Sequence, residues 1–153
     1  MIYIAIIIAI FIAELLIKND MERNKNEDTW EPILGGHIII HKFLNRGAFL
    51  NFGEKRRKIV ASVSLIFTIL MVLFFLVTLT SKGNACLKFG LAFLLGGAFS
   101  NTYDRFKRKY VVDYFSFNTN HPSISNIVFN IADFCIAVGA AIAAITVILD
   151  PKF

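Results

Sequence analysis

Asp113, in Tyr110-Val111-Val112-Asp113-Tyr114-Phe115, and Asp133, in Phe129-Asn130-Ile131-Ala132-Asp133, lie on either side of the start of the last apolar segment. An ionised carboxylate in hydrocarbon costs on the order of 3 kcal/mol, so an acid in that setting points to function. Two carboxyls near one interface suggest a shared-proton pair, an arrangement that can activate water. The plainer reading is a polar pair that pins two helices together. Upstream, the chain reads Gly96-Gly97-Ala98-Phe99-Ser100-Asn101-Thr102-Tyr103-Asp104-Arg105. Small residues let helices approach closely. Positions three and four apart share a helix face, which would draw Asn101, Asp104 and Arg105 together at the helix end. Asn130 and Asp133 repeat the three-residue spacing on what reads as the opening turns of the last span.

The elements that must hold these groups are mostly membrane-spanning. The 153 residues are 56% hydrophobic with a mean hydropathy of +0.63, too apolar for an ordinary soluble domain of this size. No sequence is left over for a separate soluble part, so one domain, residues 1–153, is expected. Spans are predicted at residues 2–17, 59–80, 85–103 and 125–149, with Pro151 as the stop. The first is short, about 24 Å at about 1.5 Å per residue. It lacks a basic leader and a small-residue cleavage site, and reads as a retained span. Between spans one and two, a polar stretch (residues 19–31) precedes Gly35-Gly36 and the β-branched run Ile38-Ile39-Ile40, which favour a small interfacial sheet. The aromatic residues Tyr110, Tyr114, Phe115 and Phe117 suit the headgroup level.

The net charge of +5 comes largely from Lys55-Arg56-Arg57-Lys58 and Arg105-Phe106-Lys107-Arg108-Lys109. Because both runs sit beside apolar spans, lipid headgroups rather than nucleic acid are the expected partner. Counting Lys and Arg alone would put both large connections in the cytoplasm. Cys86 and Cys135 lack metal-ligand or redox spacing and read as packing residues. His37 and His41 share a face but have no third ligand nearby, so no metal site is expected. Glu14 and Lys18 have the spacing of an i,i+4 ion pair, and Trp30 reads as an interfacial anchor.

Taken in order, these blocks resemble the lipoprotein signal peptidase, or signal peptidase II, family. That family carries Asn-x-x-Asp-Arg after a Gly-Gly, then Val-Val-Asp-Phe, then Phe-Asn-x-Ala-Asp; here Tyr114 stands in place of the Phe and Ser100 in place of a Gly. Asn45-Arg46-Gly47-Ala48-Phe49 is similar to a shortened Asn-x-Gly-Ala-Ala-Phe block, and Glu14 with Lys18 holds the spacing of a first-span Asp-x-x-x-Lys. The resemblance implies an all-α, four-transmembrane-helix bundle with a small extracytoplasmic β element between spans one and two. It also implies an aspartic endopeptidase in which Asp113 and Asp133 are catalytic and Asn45, Asn101, Asp104, Arg105, Asn130 and Glu14 bind or orient substrate, Arg105 offering Asp104 a counter-charge. The implied substrate is a diacylglyceryl-modified prolipoprotein, cut before its lipidated Cys in the bacterial cytoplasmic membrane, with no metal or other cofactor. The implied orientation puts the first and third connections outside, against the charge count. The motifs fix that topology jointly, so it is preferred. The competing function is a non-catalytic relative that binds lipidated signal peptides or acts as a membrane interaction protein. A small transporter would predict inverted repeats, and the chain has none.

Overall fold

The computed structural model describes residues 1–47 and 53–149. Ala48, Phe49 and Pro151 lie outside the described residues. The elements run α1 (Ile2–Asn24), β1 (Glu31–Ile33), β2 (Ile38–Asn45), α2 (Arg57–Thr80), α3 (Ala85–Lys107), β3 (Val111–Phe117), α4 (Pro122–Ser125), β4 (Val128–Phe129) and α5 (Ile131–Leu149). They sort into two compact units: Met1–Glu14, Ser62–Thr102 and the chain from Ile131 form a helical unit, and Leu15–Ala61 with Tyr103–Asn130 form a sheet unit.

In the helical unit the core is Phe75, Leu87, Leu91 and Leu95, with Tyr3, Ile7, Met71, Val72 and Ala143 packed against it. Helices α3 and α5 approach through small residues spaced seven apart on each, Gly90 and Gly97 on one, Ala132 and Gly139 on the other. A seven-residue spacing keeps one stripe of a helix turned toward its neighbour. A Cβ on Gly97 would overlap the Ala132 carbonyl oxygen, and one on Gly139 would sit 2.5 Å from both the Gly90 oxygen and the Leu94 nitrogen. Gly96 turns the other way, where its Cβ would meet the Ile10 side chain at 2.8 Å. The glycine pair therefore serves two neighbours. Thr68 and Thr102, both buried, share a hydrogen bond of 3.0 Å between α2 and α3.

Three helices among the described residues, Ile2–Asn24, Glu54–Thr80 and Ile131–Leu149, are long and apolar enough to cross a membrane. The remaining long helix, α3, has 23 residues, but its glycines, Asn101 and four charged positions dilute its hydropathy. Ile66, Leu70, Leu73 and Val77 on α2 stay exposed, as lipid-facing residues do.

Several boundaries differ from those read in the sequence. Helix α1 runs on from residue 17 to Asn24, because Met21, Glu22 and Arg23 are good helix formers and Met21 packs into the sheet unit. The last helix begins at Ile131 rather than residue 125, because Val128 and Phe129 pair with β3 instead. The β element is also larger than a feature of the first connection. It is a four-stranded antiparallel sheet in the order β1-β2-β3-β4, and its second half comes from the connection after α3. Val111–Phe117 form one of its two inner strands, with Val111, Val112, Asp113 and Tyr114 all buried. Burial on both faces hides the period-two alternation by which a strand is recognised. Met21, Val112 and Tyr114 form the core of this unit, with Ile17, Ile40, Leu44, Tyr110 and Phe115 around them.

One irregularity in the sheet bears on the site. Ile40 pairs with Phe115 and Phe43 with Asp113, so β2 spends three residues where β3 spends two. This is a bulge of one extra residue, which reverses the facing of every later side chain on β2.

Candidate active site

Asp113 is 2% exposed at the middle of β3. Asn45, at the end of β2, pairs with Val111, which lies on the same face of β3 as Asp113. Its Nδ2 donates to Asp113 Oδ2 at 3.0 Å, and its Oδ1 accepts the Gly47 N–H at 3.1 Å. Asn130 follows β4 and is fully buried; its Nδ2 donates to Asp113 Oδ1 at 2.6 Å. Each carboxyl oxygen of Asp113 is thus held by a side-chain amide from a different stretch of chain.

Asp133 lies in the first turn of α5, where a helix favours negative charge. Asn101 of α3, 7% exposed, donates from Nδ2 to Asp133 Oδ1 at 2.8 Å. Gly97 and Asn101 are four apart and share a face, so the contact of Gly97 with Ala132 brings the Asn101 amide to the residue after Ala132. Asn130 and Asp133 do not share opening helical turns: Asn130 precedes the helix and turns to Asp113.

Asp104 and Arg105 part company as well. Asp104, 1% exposed, binds Lys18 Nζ at 3.1 Å and Arg108 at 2.8 Å, and its Oδ2 accepts the Val112 N–H at 3.4 Å. The counter-charges of Asp104 are therefore Lys18 and Arg108, not Arg105. Adjacent helical residues point about 100° apart, whereas Arg108 lies one turn on. Arg105 instead donates to the Gly47 carbonyl at 3.3 Å, in the loop that follows Asn45. Glu14 is buried on α1, at 1% exposure, and Ser100 is buried on α3.

Residues with no assigned role complete the sheet-unit network. Arg108 Nε pairs with Glu22 at 3.0 Å and its guanidinium also donates to the Asn19 side chain. The Tyr110 hydroxyl donates to Glu22. That hydrogen bond, together with burial, pushes the Tyr110 hydroxyl above its ordinary range. The signal was present, since Glu22 follows Lys18 by four residues and Arg108 follows Asp104 by four. Together they fix the end of α3 against the end of α1, and so the start of the strand bearing Asp113.

His41 and Ser116 bond at 3.2 Å, both buried, with Trp30 stacked on the His41 ring at 4.1 Å between centroids. Among the described residues, no group of three or more His, Cys, Asp and Glu side chains is placed to hold a metal. Cys135 is buried, but Cys86 is exposed and so is not a core packing residue.

Apolar helices of spanning length together with a buried polar site define a multi-pass membrane protein. Residues 4–149 match the family model described as Signal peptidase (SPase) II, and the chain belongs to that family of peptidases. It is 28% identical over 150 residues to the lipoprotein signal peptidase of Caldicellulosiruptor bescii, covering 98% of this chain and 93% of that protein. Two solved structures of bacterial membrane enzymes, determined by the in meso method at 2.3 Å and 1.9 Å, share the fold. The first has a TM-score of 0.83 at 22% identity, covering 98% of this chain and 89% of its own. The second has 0.80 at 21%, covering 97% and 93%.

Proposed function

We propose that this chain is an aspartic endopeptidase of the bacterial cytoplasmic membrane that removes signal peptides from diacylglyceryl-modified prolipoproteins, cutting just before the lipidated Cys. Family membership and the name of the Caldicellulosiruptor relative support the substrate class. The observation that carries the mechanism is the pair of amides on Asp113, Asn45 on one oxygen and Asn130 on the other. An ionised carboxylate only accepts hydrogen bonds, so two N–H donors suit a base held in one orientation. Asp133 is the partner acid, and its oxygen is oriented by Asn101. Asn130 stands only three residues before Asp133 in the chain, a short tether between the two halves of the pair.

In this reading Asp113 takes a proton from water as the water attacks the scissile carbonyl. Asp133, protonated, hydrogen-bonds the carbonyl oxygen and helps the amine leave as the proton that Asp113 took from water passes to the amine nitrogen and the C–N bond breaks. In this reading the two carboxyls share one proton at rest. No metal or other cofactor enters the reaction. Asp104 and Arg105 hold the strand and the Gly47 loop, while Glu14 acts from α1. The chain works as one domain in which α3 crosses the membrane as a fourth span, with the first and third connections and the active site on the extracytoplasmic side.

The test is cleavage of a diacylated lipobox peptide by the purified protein in detergent micelles. Asp113→Asn and Asp133→Asn should each abolish product while circular dichroism and thermal unfolding stay close to the parent. Retained cleavage in either variant would sink the dyad. Lipopeptide bound but never cut by the parent protein would make it the non-catalytic relative instead.

A further inference from the structure

The turn between β1 and β2 is built against ordinary turn chemistry. Leu34, Gly35 and Gly36 take φ of +51°, +67° and +88° in succession. Glycine adopts this region freely, but a γ-branched L residue does not. Leu34 is nevertheless there, and it is 69% exposed, with Ile33 at 42% and Trp30 at 59%. In water, Leu34 would be unfavourable twice over, by conformation and by exposure. The turn is also fixed in place: Asn118 donates from its side chain to the Gly36 carbonyl at 2.8 Å and from its backbone to the His37 carbonyl at 2.9 Å.

Charge narrows what can cover this tip. Residues 32–40 contain no Asp, Glu, Lys or Arg, and Glu31 at the base is ion-paired with Lys25. The apolar part of α1 ends near residue 17, and the last turns of α1, beyond Leu15, belong to the same compact unit as the hairpin. From Asn24 to Trp30 the chain is six residues, so the hairpin is tethered within roughly 20 Å of the polar end of α1. Two aliphatic side chains at a tip with an indole behind them is the order of groups that bilayer interfaces favour.

We propose that the β1–β2 turn is a lipid-anchoring tip, in which Ile33 and Leu34 enter the outer part of the acyl-chain region of the bilayer and Trp30 lies at headgroup level. Four residues of extended chain separate Leu34 from Trp30, a depth difference on the order of 10 Å. The left-handed Leu34 is then explained by the lipid contact that its side chain makes and a glycine would not. The tip holds the sheet carrying Asp113 at a set height against the membrane surface. The inference rests on the chain lying in a membrane and not on its being a peptidase.

Trp30 is the only tryptophan in the chain, so the intact protein reports on itself. Reconstituted into phosphatidylcholine vesicles, with incorporation checked by flotation, Trp30 should be quenched by bromine on shallow acyl positions and only weakly by aqueous iodide. Leu34→Asn and Leu34→Gly, both compatible with a left-handed backbone, should keep the fold and lower the acyl-chain quenching severalfold. Full quenching by iodide would place the tip in water and overturn the proposal. Protection from both quenchers would mean that a protein surface covers it, which also overturns it. Unchanged acyl-chain quenching in both Leu34 variants would remove Leu34 as the anchor. None of these readouts uses peptidase activity, so a failed cleavage assay leaves the question separate.

Discussion

Asn45 reaches Asp113 because β2 carries one extra residue between Ile40 and Phe43. In unbroken register, Asn45 would fall opposite Tyr110 and project from the other face of the sheet, away from Asp113. The bulge is thus a device that aims the amide. Inserting one alanine between Phe43 and Leu44 should push Asn45 to the position opposite Tyr110 and turn it away, so that cleavage falls about as far as in Asn45→Ala. A hydrogen bond to a charged group contributes about 1.5–3 kcal/mol, which corresponds to a loss of roughly 10- to 150-fold in kcat/KM for Asn45→Ala. If Asn45→Ala is silent while the insertion is severe, the register acts by some other route.

Asp104 should couple to Arg108 and not to its sequence neighbour Arg105. Arg108 is 8% exposed in its contact with Asp104, and Asp104 is 1% exposed. Breaking a buried pair by removing one partner costs about 3–5 kcal/mol. Chemical unfolding of Asp104→Asn, Arg108→Gln and the double variant should therefore give a coupling above about 1 kcal/mol. The same cycle with Arg105→Gln should give a clearly smaller one. Equal coupling in both cycles would contradict the geometry at the end of α3.

The α3–α5 crossing makes an unequal demand on its glycines. Gly97→Ala and Gly139→Ala drive a methyl group into backbone atoms of the neighbouring helix, which have nowhere to go. Overpacking of this kind costs about 1–3 kcal/mol, and Gly97→Ala should also reduce cleavage by moving Asn101 off Asp133. Gly96→Ala brings its methyl to 2.8 Å from the Ile10 Cβ, a shallower overlap than at Gly97 and Gly139 and one with a side chain rather than with backbone. Thermal unfolding should rank Gly96→Ala as the mildest of the three, and the opposite ranking would mean that the helices do not cross through these positions.

Much of this organisation could be read in the sequence, and the misreadings share a cause. The helices were legible because apolar runs of spanning length have few other uses, and the family blocks around Asn101, Asp113 and Asp133 stood in order. The β-branched run Ile38-Ile39-Ile40 correctly marked an extended segment. Strand β3 was missed because burial on both faces removed its alternation. The polar end of α1 was taken for a loop since its stabilising contacts, Met21 in the sheet core and Glu22 on Arg108, are tertiary. Arg105 was assigned to Asp104 by adjacency, where the helical period favours Arg108. The bulge left no local mark at all, since a register shift is a property of two strands together.

His41 gives the sheet unit a pH dependence of known sign. Its ring is 4% exposed, bonded to Ser116 and covered by Trp30, and burial holds its pKa below the ordinary 6.5. In the unfolded chain the imidazole takes up a proton near that value, whereas in the fold it resists doing so. The unfolded state therefore binds more protons on the acid side, so stability is complete above about pH 6.5 and declines as pH falls from there toward the folded pKa. Thermal unfolding in detergent between roughly pH 5 and 8 should show the unfolding temperature dropping on the acid side. His41→Gln, which keeps a polar group for Ser116 but cannot titrate, should flatten that limb while leaving the value at neutral pH nearly unchanged. An acid limb as steep in His41→Gln as in the parent would assign the proton uptake to another group.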